Sequence, residues 1–370
     1  MRLLLVISGL GIGGAERVVV SLAEAWHSRG DDVTIFTLND SPVFYPLHSG
    51  IHRIGAGLAS PSKGLLDGIR ANLRRMQVLR KFVTECAPDV VIGFMDRTNV
   101  LTICATLGLN IPTIVCEHND TGQLRIGAIW SLLRLITYPF ASVVTFLTAN
   151  VGQRWRPLLR ERAVVMPNPV VVGEQDGKVS FSHPRNLIAV GRLVSQKGFD
   201  LLLESFREVA SKHKEWGLTI LGEGELRPQL EAMVERLGLS SRVSLSGRVE
   251  NPFAWLRLAD LFVMPSRFEG FPCSLCEAMA CGLPAISFDC DSGPRDIIRE
   301  GVDGLLVPPG NVQKLVTAMD ELMSNPERRM QMSLRGPDIL HRFGIVEILQ
   351  KWDELFDRFC PSHELSTDFK

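Results

Sequence analysis

Short apolar runs alternate with amphipathic segments along this chain, and the alternation goes through a full cycle twice. Apolar runs at residues 3–8, 33–38, 90–94 and 112–116 interleave with helical patterns near 15–28, 65–85 and 99–107. That is the signature of a parallel sheet with crossover helices, a doubly wound α/β domain. From residue 186 the grammar restarts, with strands expected at 187–190, 218–221, 243–246, 261–264, 285–288 and 305–307 and helices at 199–210 and 225–237. Between the halves, MPNPVVVGEQDGKVSFSHPRN (166–186) is rich in Pro, Gly and polar residues and reads as a linker. The expectation is an N-terminal Rossmann-like domain over 1–170, a C-terminal one over 171–345, and a terminal segment, 346–370, packing back on the first. A cleft between the two domains is the default ligand site.

Bulk properties remove several classes. A chain of 370 residues can bury two cores, and a formal charge of −1 gives no basis for general nucleic-acid binding. No apolar run reaches the roughly 18 residues of a spanning helix. The opening MRLLLVISGL flows into a glycine-rich turn and reads as a buried strand rather than a signal peptide. Eight scattered cysteines fit reduced thiols in a cytoplasmic protein. Cys273 and Cys276 form a CxxC at a helix start, but no second ligand pair accompanies them, and packing is the preferred reading.

The segment 268–282, FEGFPCSLCEAMACG, concentrates chemistry. Pro272 suits a first helical position, so the helix begins near Cys273, and the amides of Cys273 and Ser274 present the positive end of its dipole to an anion. Glu269 precedes the helix and Glu277 lies one turn inside it, so their carboxylates reach different parts of one ligand, such as a ribose diol and a hexose joined by a diphosphate. In the first half, Gly9, Gly11 and Gly14 satisfy GxGxxG between a strand and a helix. A nicotinamide-dependent dehydrogenase would use that turn, with Asp40 as a late-placed ribose ligand. Backbone amides at Gly13 and Gly14 approaching a diphosphate are the other use.

Taken together, GGAERV near 13, EHND at 117–120, GRLVSQKG at 191–198, the Glu269/Glu277 pair and GLLVPPG at 304–310 resemble the GT-B glycosyltransferases, specifically the retaining glycosyltransferase family 4. The resemblance runs over most of the chain. It implies two Rossmann-like domains facing across a cleft, the first binding acceptor and the second binding donor. By the same resemblance Arg192 and Lys197 grip the donor diphosphate, Glu277 accepts from the ribose hydroxyls, and Glu269 sits by the transferred sugar. Gly270, Phe271, Cys273 and Ser274 lie close to sugar hydroxyls and phosphate, and Arg248 and Val249 hold the base. His118 touches the transferred sugar or positions the acceptor, and Arg17 meets an acceptor phosphate. Two fixed cations and a helix N-terminus neutralise a leaving diphosphate without a metal or other cofactor. Asp289 and Asp291 form a DxD but follow a strand of the donor domain and are read as loop residues.

Basic amphipathic patterns also mark the first half. Arg70, Arg74, Arg75, Arg80 and Lys81 share 64–85 with Leu66, Ile69 and Leu73, and Arg134, Arg154, Arg156, Arg160 and Arg162 share 126–162 with Trp130, Leu132, Phe140 and Trp155. Such surfaces suit an anionic membrane or a lipid diphosphate, against the reading of a solvated face over a core stripe. The expected activity is retaining transfer of a hexose or N-acetylhexosamine from a UDP-sugar to a lipid-linked or polysaccharide-precursor acceptor, performed by a cytoplasmic enzyme peripheral to the inner face of the plasma membrane. A nucleotide-sugar epimerase, the dehydrogenase and a non-catalytic sugar-nucleotide binder are the alternatives.

Overall fold

A computed structural model describes residues 1–58, 64–123, 126–173 and 179–360; the centre of the expected linker, 174–178, and the end of the expected terminal segment, 361–370, lie outside the described residues. The chain divides into two compact units, Met1–Pro169 with Ile345–Lys370, and Val170–Gly344.

Unit 1 is built on seven strands, β1 (Arg2–Ile7), β2 (Asp32–Thr37), β3 (His52–Gly55), β4 (Val90–Phe94), β5 (Thr113–Glu117), β6 (Val143–Phe146) and β7 (Ala163–Val165). They pair in the order β3-β2-β1-β4-β5-β6-β7, every neighbour parallel. Its helices are α1 (Gly14–Ser28), α2 (Leu65–Cys86), α3 (Asp96–Thr106), α4 (Ala128–Thr137) and α5 (Ala149–Leu159). All residues of β4 and β5 are buried, as expected of parallel strands covered on both faces.

Unit 2 repeats the plan with β8 (Arg185–Val190), β9 (Trp216–Leu221), β10 (Val243–Gly247), β11 (Leu261–Met264), β12 (Ala285–Phe288) and β13 (Gly304–Val307) in the parallel order β10-β9-β8-β11-β12-β13. Helices α6 (Phe199–Ala210), α7 (Arg227–Arg236), α8 (Pro252–Leu258), α9 (Cys273–Ala280), α10 (Pro294–Ile297), α11 (Val312–Ser324), α12 (Pro326–Arg335) and α13 (Leu340–Phe343) accompany them. Asparagine side chains cap three of these, Asn251 on α8, Asn311 on α11 and Asn325 on α12, each satisfying an amide that the helix leaves unbonded. Residues 170–173 of the expected linker are pinned to this unit: Val170 N donates to Phe343 O (2.7 Å), and Arg257 donates to Gly173 O (2.9 Å).

The last helix, α14 (Ile345–Phe359), returns to unit 1. Trp352 stands edge-on to Trp26 of α1, ring centroids 5.4 Å apart, with Phe356 completing the cluster, and Arg29 pairs with Asp353 at 2.8 Å.

The strand orders fix where ligands can bind. In unit 1 the connections run outward on both sides from β1 and β4, and in unit 2 from β8 and β11. At such a reversal the two loops leaving the strand ends diverge and leave a crevice beyond the carboxyl ends. In unit 2 those loops carry Arg192 and Lys197 after β8 and Glu269 after β11.

Candidate active site

The loops after β8 and β11 are stitched together by several bonds. Arg267 N donates to Gln196 O (2.8 Å), Gln196 Nε2 to Phe268 O (3.0 Å), and the Arg267 guanidinium to Ser195 O (2.7 Å). Arg267 also forks onto Asp200 (2.9 and 2.6 Å), which outweighs the effect of burial and holds that carboxyl below the usual range. Gly198 is required here on two counts. Its φ is +64°, and a Cβ would stand 2.0 Å from the Pro265 carbonyl oxygen.

Within this frame Lys197 Nζ donates to Glu269 Oε1 at 2.6 Å, with side-chain exposures of 16% and 7%. An ammonium has three donors, so two N–H groups of Lys197 remain for other acceptors. Glu269 is further fixed through its backbone, where Ser292 Oγ donates to Glu269 O (2.6 Å). Arg192 is exposed at the mouth of the same loop. Glu277 is buried on α9.

Helix α9 begins at Cys273, as the sequence suggests, with Pro272 as its cap (φ −73°, ψ 99°) rather than a residue of its first turn. The reason is visible in the bonding: Pro272 O already accepts from Leu275 N and Cys276 N, which closes the first turn on a residue with extended backbone. Phe271 is buried edge-on to Phe343 at 5.1 Å. Within the CxxC, Cys276 is unsuited to redox work, because burial pushes its thiol well above the ordinary range. Asp289 is tied bidentately to Arg295 (2.9 Å to each oxygen), and among the described residues no His/Cys/Asp/Glu group could hold a metal.

Arg248 is exposed and Val249 half-buried just after β10, at the edge of the same sheet. Between them and the Arg192 loop lies a segment that sequence reasoning missed, Gly222 to Leu226 after β9. Cβ atoms on Gly222 and Gly224 would stand 1.9 and 2.4 Å from the carbonyl oxygens of Gly191 and Leu193. The GEG triplet at 222–224 is the signal that was available for this close approach.

In unit 1, Gly13 caps α1 with extended backbone, and Tyr45 OH donates to its carbonyl (3.3 Å). Arg17, half-buried on the first turn, sits over the Tyr45 ring at 5.9 Å. Gly14 opens the helix. A Cβ on Gly13 would stand 2.0 Å from Glu16 Oε2, so a carboxylate already lies against the positive end of this helix. Asp40, the residue a nicotinamide site would need, is turned instead toward Gly55 of the edge strand β3.

His118 follows β5, half-buried, its ring 5.6 Å from that of Phe94. Burial lowers its pKa to about 4, so the imidazole is neutral at neutral pH. Behind it is a network invisible in the sequence. Glu117, 1% exposed, accepts from Tyr138 OH and lies 3.6 Å from Arg134. Asn99 Nδ2 donates to Cys116 O (2.9 Å) and reaches Tyr138 OH (3.4 Å). Desolvation pushes the Glu117 pKa up to about 7, with Arg134 and Tyr138 opposing it and Asp96 reinforcing it.

This network corrects part of the expected basic surface. Arg134 is turned inward to Glu117, Arg154 is bonded to Asp120 (2.9 Å), and Arg162 donates to Pro139 O (2.6 Å). On α2, Arg75 donates to Leu58 O and Asn72 Oδ1, and Arg80 to the carbonyls of Ala105 and Leu107. These guanidiniums satisfy backbone and carboxylate acceptors, a use that a helical periodicity does not reveal. Arg70, Arg74, Lys81, Arg156 and Arg160 remain exposed, and Arg80, Arg154 and Arg162 keep an exposed side while making these bonds.

Residues 174–338 match the family model described as Glycosyl transferases group 1, and residues 12–174 match the one described as Glycosyltransferase Family 4. The chain is 28% identical over 357 residues to the GalNAc-alpha-(1->4)-GalNAc-alpha-(1->3)-diNAcBac-PP-undecaprenol alpha-1,4-N-acetyl-D-galactosaminyltransferase of Campylobacter jejuni, covering 96% of this chain and 98% of that protein. Sucrose-phosphate synthase from Thermosynechococcus elongatus superposes with a TM-score of 0.83 at 17% identity, covering 98% of this chain and all of the other. Anabaena Alr3699/HepE in complex with UDP superposes with a TM-score of 0.77 at 18% identity, covering 97% of this chain and all of the other. At these identities the structural likeness is one of fold.

Proposed function

This chain is a glycosyltransferase of the GT-B architecture, and from that premise we propose that it transfers a hexose or N-acetylhexosamine from a UDP-sugar to a lipid-linked or polysaccharide-precursor acceptor in bacterial glycan synthesis, retaining the anomeric configuration. The observation that carries the donor assignment is the convergence of Arg192, Lys197, Glu269 and the start of α9 at the strand-order reversal of the unit 2 sheet. The UDP in the HepE complex and the undecaprenol diphosphate in the Campylobacter relative's name support the choice of donor and acceptor class.

In this reading the bond from the anomeric carbon to the diphosphate oxygen breaks with its electron pair going to UDP. Arg192, the two remaining N–H groups of Lys197 and the α9 N-terminus stabilise the charge that develops there, each such donor being worth about 10²–10³ in kcat. The acceptor hydroxyl attacks from the face the diphosphate leaves, and its proton passes to the departing phosphate oxygen. Neither a protein nucleophile nor a metal enters the step. Glu277 holds the ribose diol, Glu269 accepts from sugar hydroxyls while it positions Lys197, and Arg248 and Val249 flank the base. Gly270, Phe271, Cys273 and Ser274 approach the sugar and phosphate through backbone. In unit 1, Gly13 and Gly14 offer backbone amides to phosphate, and Arg17 and neutral His118 meet the acceptor. The enzyme works in the cytoplasm, peripheral to the inner face of the plasma membrane; no described helix is long and apolar enough to cross it.

The test is incubation with radiolabelled UDP-sugars and undecaprenyl-diphosphate-linked saccharides, with the product anomer read by NMR. Transfer with retained configuration is expected. UDP-sugar interconversion without acceptor would assign an epimerase instead, and turnover dependent on a nicotinamide cofactor would assign a dehydrogenase.

A further inference from the structure

Between Ile126 and Ala141 the chain carries one charge, Arg134, and that side chain is turned inward, 3.6 Å from Glu117 and over the Trp155 ring at 5.2 Å. The outward side of α4 is therefore uncharged. Ile129, Leu132, Leu135 and Ile136 fall on one side of a 3.6-residue helix, and with Phe140 in the following turn each is at least half exposed. Soluble surfaces rarely gather five large apolar side chains on one short element. Arginines mark its edges: the exposed Arg97 lies over the Trp130 ring at 5.6 Å, and Arg162 is held at Pro139 by a 2.6 Å bond.

We propose that this face of α4 and Phe140 inserts into the boundary between acyl chains and headgroups of an anionic bilayer, with Arg97 and Arg162 meeting the lipid phosphates. The inference deepens the reading of a lipid-linked acceptor and rests on it, because it supplies the surface by which the enzyme reaches such a substrate. Charge complementarity selects the occupant. A second copy of this chain would bring arginine edges against a segment, Ile126 to Ala141, that holds no acid to pair them, whereas an anionic leaflet presents the opposite charge at the depth of those edges. Neither signal alone gives more than marginal attachment, and an apolar face combined with a cationic rim gives reversible peripheral binding. The Arg70 and Arg74 side of α2 adds long-range attraction, but insertion belongs to α4.

Flotation with phosphatidylcholine vesicles containing phosphatidylglycerol separates these contributions. Wild-type protein is expected to float, and a fraction should stay bound in about 1 M salt, where the Debye length is about 3 Å. Leu132→Gln/Ile136→Gln should lower partitioning by on the order of tenfold per side chain, with an unchanged melting midpoint and unchanged transfer to a water-soluble acceptor analogue. The extra emission of an Ile129→Trp variant should be quenched by bromine placed on the acyl chains. Complete release of wild-type by salt, flotation of the double variant equal to wild-type, or self-association lost in the double variant without vesicles would each overturn the proposal. Protein that does not float yet glycosylates a lipid-linked acceptor in detergent overturns insertion and leaves the acceptor reading intact. Protein that floats but accepts only soluble saccharides overturns the acceptor reading and leaves insertion standing.

Discussion

Lys197 Nζ and Glu269 Oε1 lie 2.6 Å apart, joining the loops that leave β8 and β11 at the point where the unit 2 strand order reverses. Removing either partner leaves the other charge largely buried, so Lys197→Ala or Glu269→Ala should cost about 3 kcal/mol or more in stability. Each should also lower kcat by about 10²–10³. The double variant Lys197→Met/Glu269→Leu separates the two effects. It should regain much of the thermal stability and none of the turnover. Activity returning together with stability would reduce the pair to a structural clamp.

Arg192 is exposed, and its side chain has no hydrogen bond among the described residues. Arg192→Ala should leave the melting midpoint within the roughly 0.5 kcal/mol typical of surface changes. UDP affinity should fall by about 10- to 100-fold, the worth of a charge-assisted bond to phosphate. Titration calorimetry with UDP and with uridine checks this, since uridine binding should be unaffected.

Gly198→Ala probes the loop that presents Lys197. With φ at +64° and the Pro265 carbonyl oxygen 2.0 Å from the new Cβ, the loops must separate. A loss of about 1–3 kcal/mol in denaturant midpoint is expected, with a lowered kcat because the neighbouring Lys197 moves away from Glu269.

Adjacent residues in unit 1 titrate in opposite senses. Glu117 is raised from 4.5 to about 7 by burial, so the folded state holds the proton more tightly, and this term makes stability fall as pH rises from about 4.5 to 7. His118 is lowered from 6.5 to about 4, so the unfolded state holds the proton more tightly, and this term makes stability rise with pH between about 4 and 6.5. The two oppose each other over most of that range. Glu117→Gln should therefore steepen the loss of stability on acidification, and His118→Asn should unmask a loss on moving toward neutrality. Chemical denaturation at a series of pH values reads both slopes, and parallel profiles for all three proteins would contradict the assignment.

What the sequence conveyed followed locality. Strands β4 and β11 are continuous apolar runs, β12 is broken only by Ser287, and the expected and observed limits of all three coincide. Strand β3, HRIG, is a half-exposed edge without an apolar signal, β7 is three residues long, and β6 was hidden in a stretch taken for an amphipathic surface. The residues brought together at the unit 2 reversal were nameable because each sits in a short motif beside a strand end. Arg134 was misjudged because its partner Glu117 is seventeen residues away and buried on another element, and only the folded chain shows that an acid there needs a cation. The close packing of Gly222 and Gly224 on the Arg192 loop depends on the β8–β9 pairing, which composition cannot convey.

The donor site is tested most directly by titrating UDP, in EDTA, into wild-type protein and into Glu277→Ala, with NAD as a control. Wild-type should bind UDP undiminished by the chelator, Glu277→Ala should bind it at least about tenfold more weakly through loss of a hydrogen-bonded, charged ribose contact, and NAD should release no heat. Equal UDP binding by the two proteins, or binding that EDTA abolishes, would contradict a metal-independent donor site at the start of α9.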